Sequence, residues 1–248
     1  MKTIFEHRSI RNFKSDDIPA DILNKVLEAA TRASTTGNMQ VYSIIVTTLP
    51  EIKQKLLGCH FNQNMVVQAP VILTFCADFN RFNKWCRLRN AEPAYDNFLS
   101  FITASIDALL AAQNAALEAE HNGLGICYLG TTTYMAHKIV EVLNLPSAVV
   151  PVTTLVIGYP AENPPLTDRL PLEAIVRRET YNDFTNEEIE ILYKEKESMP
   201  YYQNFVKENG VETLAQVFTL KRYTKKDNIA FSKLFIDIIT KQGFMNNE

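Results

Sequence analysis

Apolar residues recur at helical spacing between residues 15 and 34, SDDIPADILNKVLEAATRAS. The repeating positions are Ile22, Leu23, Val26, Leu27 and Ala30. This spacing predicts an amphipathic helix, and Pro19 suits its first turn because proline lacks the backbone N–H that would otherwise be unbonded there. Gly37 and the small polar residues of the following STTGNMQ end the helical pattern.

Four runs of mostly apolar, β-branched residues predict strands. They are VYSIIVTT (41–48), VILTFCA (71–77), part of GLGICYLG (123–130) and VVPVTTLVIG (149–158). The second run is almost wholly apolar, so both of its faces are expected to be covered. Short helices are predicted in PEIKQKLLG (50–58) and MAHKIVEVLNLP (135–146). Because strands and helices alternate, the pattern indicates an α/β or mixed α+β layer fold.

A longer helix is predicted from about residue 96 to residue 121. Its expected apolar side consists of Phe98, Ile102, Ile106, Leu109, Leu110 and Leu117. Its alanines are small enough to let another helix approach closely. Polar residues such as Asp107, Asn114 and Glu118 interrupt the apolar stretch, so we do not expect it to span a bilayer.

The character of the chain changes after residue 182, where it becomes charged and helical. Apolar residues in this part recur at i, i+3, i+4, i+7 and i+8, namely Phe231, Leu234, Phe235, Ile238 and Ile239. Such a stripe must pack on another surface. Since no repeat or Gly/Ser linker is present, we predict one domain, with a core at 1–182 and a helical extension at 183–248.

Composition narrows the possible functions. The chain is 46% apolar and 21% charged, with a net charge of −3, so the broad basic surface typical of nucleic-acid binding is not expected. Four scattered cysteines without CxxC pairs indicate buried, reduced thiols. The N-terminus has no apolar segment of the signal-peptide type, so we predict a cytoplasmic protein that does not contact a membrane. The four histidines are widely spaced, so we do not expect a metal site, and no GxSxG nucleophile motif is present.

The stretch EHRSIRNF places His7, Arg8, Ser9 and Arg11 within five positions. Arginine forks bind phosphate in a bidentate manner, and a neighbouring hydroxyl or backbone N–H completes the shell. The cluster is therefore a candidate anion site. The alternative is an ordinary surface patch, or helix-capping pairs with the acidic residues 16 and 17.

Three of the eight glycines fall in GLGICYLG. Gly125 and Gly130 have P-loop spacing, but Thr131 stands where the phosphate-binding lysine is needed. A GxGxxG motif would require glycine at position 128, which is Tyr128. Neither nucleotide motif is met, so Gly123 is interpreted as a helix C-cap and Gly130 as a place where a ligand comes close.

Several motifs occur together in a characteristic order: RSIR (8–11), STTGNMQ (34–40), QNMVVQAP (63–70), FCADFNR (75–81), GLGICYLG, GYPAENPP (158–165) and NPPLTDRLP (163–171). This combination resembles the nitroreductase family of FMN-dependent oxidoreductases. In particular it is similar to the larger NADPH-dependent group, the major oxygen-insensitive nitroreductases and NADPH–flavin reductases. The resemblance runs from about His7 to Tyr181 and also includes KQGF at 241–244.

The resemblance implies a set of FMN-binding residues. It assigns the phosphate to His7, Arg8, Ser9 and Arg169, and the pyrimidine end of the isoalloxazine to Arg11, whose charge stabilises the reduced ring. It assigns the ring or ribityl chain to Thr35, Thr36 and Gly37, and the pyrimidine edge to Gln63. It further places Tyr128, Leu129, Gly130 and Thr131 beside the ring. Each of these has a structural alternative: a helix end, a surface amide or a core position.

The chain departs from the family pattern at three places. Thr167 stands where relatives usually carry a phosphate-binding lysine, the threonines after Gly130 replace a basic residue, and Leu99 replaces an acidic one. The basic segment LKRYTKK (220–226) is either replacement charge for the nicotinamide dinucleotide or a solvated loop.

The resemblance also implies a fold and a reaction. The fold is α+β, with a mostly antiparallel central sheet flanked by helices, assembled as an intertwined homodimer. The long helix would form the dimer core, and the C-terminal stripe would clasp the partner. FMN would take hydride at N5 from NADPH or NADH and reduce a small-molecule oxidant (a nitroaromatic, a quinone or free flavin) in a ping-pong reaction without a catalytic protein side chain. The alternatives are a related flavoenzyme with dehydrogenation or flavin-fragmentation chemistry, and a catalytically silent phosphate- or nucleotide-binding protein.

Overall fold

The computed structural model describes residues 2–246 and divides them into two compact units. The first unit contains the described residues up to Pro165 and those from Phe231 onward, and the second is Leu166–Ala230. These limits differ from the predicted division after residue 182, because the chain returns to the first unit within its last helix. That residues 183–248 extend the same domain stays a prediction.

The secondary structure follows the predicted alternation of helices and strands. The strands are β1 (Tyr42–Thr47), β2 (Val71–Asp78), β3 (Gly125–Tyr128) and β4 (Val149–Gly158). The helices up to the last strand are α1 (Lys2–Phe5), α2 (Ala20–Thr31), α3 (Pro50–Cys59), α4 (Met65–Gln68), α5 (Asn80–Arg87), α6 (Phe98–His121), α7 (Thr131–Tyr134) and α8 (Ala136–Val142). Those that follow are α9 (Leu172–Ile175), α10 (Asn186–Ser198), α11 (Pro200–Glu208), α12 (Leu214–Gln216) and α13 (Lys225–Lys241).

The four strands form one antiparallel sheet in the order β1-β2-β4-β3. Its two central strands, β2 and β4, are buried along their whole length. The register skips one residue where Phe75 pairs with Thr153 and Cys76 pairs with Pro151. This bulge accommodates a proline in a central strand, because proline cannot donate a ladder hydrogen bond. The predicted α+β class with a mostly antiparallel sheet is confirmed.

The long helix α6 packs on the sheet through its small residues. Asn97 caps it by accepting a hydrogen bond from the Ser100 N–H. Its buried positions are Ser100, Phe101, Ala104, Asp107, Ala108, Ala111, Ala112, Ala115, Ala116 and Ala119. The predicted apolar side is exposed at Phe98, Ile102, Ile106, Leu109 and Leu110, whereas Leu117 is half-buried. As expected, the small alanines let another helix, α2, approach closely together with the sheet, so the large side chains of the apolar side lie on the outer face of α6.

By length and composition α6 is apolar enough to cross a membrane. Its polar residues therefore do not by themselves exclude a membrane-spanning helix. Half of its most apolar window is buried within the structure. The alanine face of α6 therefore serves as part of the core of the first unit.

The C-terminal stripe on α13 packs on its own chain. The ring of Phe231 stacks on Tyr134 with centroids 4.6 Å apart, and Phe235 meets Phe101 at 5.9 Å. Ile239 is buried in the main core, together with Phe244 beyond the helix. Much of this stripe therefore packs within its own chain, and its contact with a partner stays a prediction.

The second unit has a small apolar cluster of Tyr202, Leu214 and Val217. Its helix α10 begins with a capping box, in which Thr185 accepts from the Glu188 N–H and Glu188 accepts from the Thr185 N–H. Such a reciprocal cap satisfies two N–H groups that the first helical turn leaves unbonded.

Candidate functional site

The HRSIR segment lies alongside strand β3. Ser9 forms a parallel bridge with Ile126, and the Ile10 N–H donates to the Ile126 carbonyl at 2.8 Å. A Cβ at Gly125 would lie only 2.7 Å from Cγ1 of Ile10. Glycine at this position therefore allows the segment to approach the strand, a role that the sequence analysis did not assign to it.

The basic side chains of the segment have partners from distant parts of the chain. His7 Nδ1 lies 2.7 Å from Oε1 of Glu120, and Arg8 Nη1 donates to the Asn163 side chain at 2.7 Å. The Arg8 guanidinium lines a cleft of about 420 Å³ that also contains Glu120 and Glu162. Its Nε is buried and has no hydrogen-bond partner among residues 2–246. The guanidinium therefore retains a donor for a ligand.

Glu162 fixes the backbone at Arg11. Its Oε1 accepts from the Arg11 N–H at 2.6 Å and from the Asn12 N–H at 3.1 Å, and Oε2 accepts from the Asn12 amide at 2.6 Å. The hydrogen bond from the Arg11 N–H, followed by that from the Asn12 side chain, holds the pKa of Glu162 below its usual range. The carboxylate that organises this segment is thus Glu162, and not the predicted partners Asp16 and Asp17.

The predicted ring-contacting residues follow directly from β3. The Leu129 N–H donates to the Thr154 carbonyl at 2.9 Å, so the chain stays attached to β4 up to the turn. Gly130 caps α7, and a Cβ built there would meet no heavy atom within 4 Å. Tyr128 is half-buried, and burial followed by the Glu120 charge raises the pKa of its hydroxyl. The turn at Gly130 thus borders open space at the end of a buried strand.

The Ser9 side chain lies beside the same strand. Burial raises the pKa of the Cys127 thiol, and the neighbouring Ser9 hydroxyl opposes part of this shift. The phosphate-binding candidate Ser9 is therefore held next to the strand that carries the ring-contacting candidates.

Gln63 joins this arrangement through His60. Gln63 Nε2 donates to the His60 carbonyl at 3.0 Å, and His60 Nδ1 lies 2.8 Å from the Thr131 hydroxyl. His60 is fully buried, and burial lowers its pKa to about 4. The structure therefore brings together Ser9, Gln63 and the Tyr128–Thr131 stretch around β3, with His60 as a link that the sequence analysis missed.

Thr35, Thr36 and Gly37 are held at a different place, on α6. The Thr36 N–H donates to Oδ1 of Asp107 at 3.0 Å, and Asp107 is almost completely buried. Gly37 has a φ of +56°, in the left-handed region that favours glycine. The Asp107 anchor was also missed, because it lies 71 residues away along the chain. The predicted ligand contact of this loop stays a prediction.

Thr167 and Arg169 belong to the second unit. Arg169 Nη1 donates to the carbonyls of Thr167 at 3.3 Å and Asp168 at 2.9 Å. Asp168 accepts from Lys196 at 2.7 Å and from the Tyr202 hydroxyl at 2.5 Å. Burial would raise the pKa of Asp168, but these hydrogen bonds hold it below the usual value. The backbone beside Arg169 is thus anchored, and its phosphate-binding role stays a prediction.

Comparison with known proteins assigns this arrangement to a family. The sequence profile of the nitroreductase family matches residues 4–159. An FMN reductase (NADPH) of Bacillus subtilis (strain 168) is 36% identical over 75% of this chain and 76% of its own length. An FMN reductase [NAD(P)H] of the same organism is 31% identical over 98% of this chain and 97% of its own length.

Similarity to solved structures agrees with the sequence comparison. A crystal structure from Bacteroides fragilis NCTC 9343, of a protein described in general terms as an oxidoreductase, has a TM-score of 0.98 and 52% identity, covering 99% of this chain and 100% of the other. The NfrA1 nitroreductase from B. subtilis has a TM-score of 0.86 and 30% identity, with 98% of each chain covered. The chain therefore belongs to the nitroreductase family.

Proposed function

We propose that this chain is an FMN-dependent oxidoreductase that uses NAD(P)H to reduce a small two-electron acceptor. The observation that carries the proposal is the convergence of Ser9, Gln63 and the Tyr128–Thr131 stretch around β3 in a member of the nitroreductase family. The full-length relative is an FMN reductase that uses NAD(P)H, which supports both the cofactor and the electron donor.

The residues around β3 suit FMN. Arg8 and Arg11 supply guanidinium groups for an anion, and Arg8 has a buried donor, Nε, with no partner in the described part of the chain. Gly130 borders space in which a planar ring can approach the backbone. The chemistry that FMN supplies when bound is the passage of two electrons, accepted as hydride from the nicotinamide and then delivered to an oxidant in a second half-reaction.

The protein's own part in this reaction is placement and electrostatics. Glu162 fixes the backbone from which the Arg11 side chain projects, so the guanidinium charge is preorganised. Ser9 and Arg8 bind the phosphate, the second with its unused donor. Gln63, tied to the His60 carbonyl, orients the ring. No side chain of this set acts as a nucleophile or general base.

We extend the proposal to a homodimer. The outer face of α6 exposes large apolar side chains at Phe98, Leu99, Ile102, Ile106, Leu109 and Leu110. A contiguous row of this size on one helix is typical of an interface between subunits. Covering it with a second copy buries these side chains, and it agrees with the predicted role of the alanine-rich helix in the dimer. We also propose a cytoplasmic location. The four cysteines are buried free thiols, as is usual in a reducing compartment.

The acceptor is proposed at the level of its chemistry. A nitroaromatic, a quinone or free flavin can each take two electrons, and the family's description and the named FMN reductases favour the first and the last. In a ping-pong reaction the oxidised nicotinamide leaves before the acceptor binds. Double-reciprocal plots at several acceptor concentrations are therefore expected to be parallel.

Flavin binding and reduction test the proposal. The purified chain is expected to be yellow, to contain FMN, and to lose its flavin absorbance rapidly on mixing with NADPH in a stopped-flow instrument. Ser9→Ala and Arg169→Ala are each expected to weaken FMN at least tenfold while leaving riboflavin, which lacks the phosphate, within twofold.

Two other outcomes would point to the alternatives. A chain that binds FMN but is reduced only slowly by both NADPH and NADH would indicate dehydrogenation or flavin-fragmentation chemistry. A colourless chain that does not bind added FMN would contradict the proposed function.

A further inference from the structure

The loop after α3 contains two residues in an unfavourable backbone conformation. Phe61 and Asn62 have φ values of +54° and +56°, in the left-handed region. For a bulky residue such as Phe61 this conformation is uncommon and unfavourable. Two such residues in succession persist only where surrounding contacts determine them.

His60 provides contacts on both sides of that loop. Its N–H donates to the Leu56 and Leu57 carbonyls and so ends α3, while its own carbonyl accepts from Gln63 through both the backbone N–H and the side-chain amide. Its ring reaches 71 residues along the chain to the Thr131 hydroxyl. One buried residue thus touches the Gln63 segment through its backbone and the turn after β3 through its side chain.

The chemistry of the imidazole indicates that His60 does more than fill space in the core. A fully buried imidazole loses its hydration, and a leucine of similar volume would fill the space without that cost. Nε2 is buried without a hydrogen-bond partner in residues 2–246. The hydrogen bond with Thr131 therefore offsets part of the free energy that the ring loses when it leaves water. Burial keeps the ring neutral near pH 7, which leaves one hydrogen bond between neutral groups.

We propose that His60 is a positioning residue that locks the Gln63 segment to the turn at Gly130–Thr131 and thereby sets the shape of the flavin-ring pocket. The inference rests on the proposed function, which assigns both segments to the flavin ring. His60 itself need not touch the flavin. Its effect passes through Thr131 on one side and Gln63 on the other.

Paired substitutions separate positioning from general stability. His60→Leu and Thr131→Val remove the hydrogen bond, whereas His60→Asn and Thr131→Ser retain a polar partner at each end. Thr74→Val is a matched control, because Thr74 is equally buried but its hydroxyl has no partner in the part of the chain that the structure describes. The measured quantities are the dissociation constants of FMN and riboflavin, from quenching of flavin fluorescence, and the visible spectrum of the bound FMN.

His60→Leu and Thr131→Val are expected to weaken FMN and riboflavin alike, by about tenfold, and to change the shape of the visible flavin bands. A tenfold change corresponds to the loss of one buried hydrogen bond. His60→Asn and Thr131→Ser are expected to recover part of the affinity that His60→Leu and Thr131→Val lose, and Thr74→Val is expected to stay within about twofold. The double variant His60→Leu/Thr131→Val should be no weaker than either single variant, because both remove the same interaction.

Two results would overturn the inference while leaving the proposed function intact. One is unchanged flavin affinity and spectrum in Thr131→Val, a nearly isosteric change that decides the question even if His60→Leu fails to fold. The other is equal loss in His60→Leu and His60→Asn, which would mean that ring volume matters and the hydrogen bond does not. A wild-type chain that binds neither flavin would instead defeat the proposed function, and this inference with it.

Discussion

Acid is expected to destabilise this protein through His60 at a pH well above that at which carboxylates titrate. His60 is fully buried, and burial lowers its pKa from 6.5 to about 4. In the unfolded chain the ring is exposed and titrates near 6.5. Between these two values the unfolded state binds more protons than the folded state, so stability falls as the pH falls.

The size of the effect follows from the two pKa values. A depressed folded pKa means that the full stability is present above pH 6.5 and is progressively lost below it. Linkage gives a loss of about 2 kcal/mol between pH 7.5 and pH 5, and about 3 kcal/mol by pH 4. This is a substantial fraction of the roughly 5–15 kcal/mol that stabilises a typical folded protein.

Urea unfolding followed by far-UV circular dichroism measures this loss. Wild type and His60→Asn should be compared from pH 7.5 to pH 5, at one protein concentration and with saturating FMN. Asparagine does not titrate, so the wild type should lose about 2 kcal/mol more than the variant over this range. Glu162 and Asp168 have lowered pKa values and so titrate at still lower pH, and they contribute equally to both proteins. Parallel stability curves for the two proteins would refute the reasoning.

Three further predictions follow from packing, charge and surface. Gly125→Ala should lower the free energy of unfolding in urea by about 1–3 kcal/mol, because its Cβ would lie 2.7 Å from Ile10. Gly58→Ala, at a position in α3 where a Cβ meets no heavy atom within 4 Å, should leave this free energy unchanged or raise it slightly. Equal effects of the two substitutions would contradict the close approach of Ile10 to Gly125. Thr167→Lys should tighten FMN severalfold in fluorescence titrations without changing riboflavin affinity, since it adds a positive charge at a position that the family resemblance assigns to the phosphate; tighter riboflavin binding would contradict a phosphate contact. If the chain forms the proposed dimer, Leu110→Glu should be monomeric in light scattering, whereas Ile191→Glu, at an exposed position of α10, should behave as the wild type does; a dimeric Leu110→Glu variant would remove the support for an α6 interface.

The sequence predicted the order of strands and of most helices, because a local apolar period is imposed by the geometry of each element. It missed α5, where polar residues dominate NRFNKWCR, and α7, where a run of threonines has low helix propensity. The predicted site residues within the first unit were found around β3 for Ser9, Gln63 and Tyr128–Thr131. Their supporting residues His60, Asp107 and Glu162 carry no local signal, because each acts on a partner 71 or more positions away along the chain.

The two apolar faces of α6 show why periodicity cannot decide which side of a helix faces the core. The alanine row and the row of large apolar residues have the same helical period, so hydrophobicity alone ranks the larger side chains as the core. The alanine row faces the core instead, because α6 packs close to both α2 and the sheet and only small side chains fit between them. The larger side chains then remain on the outer surface. A helix that is apolar on all sides is normally buried on all sides. The exposed apolar row therefore favours a second copy of the chain on the outer face of α6, in agreement with the predicted role of this helix in a dimer.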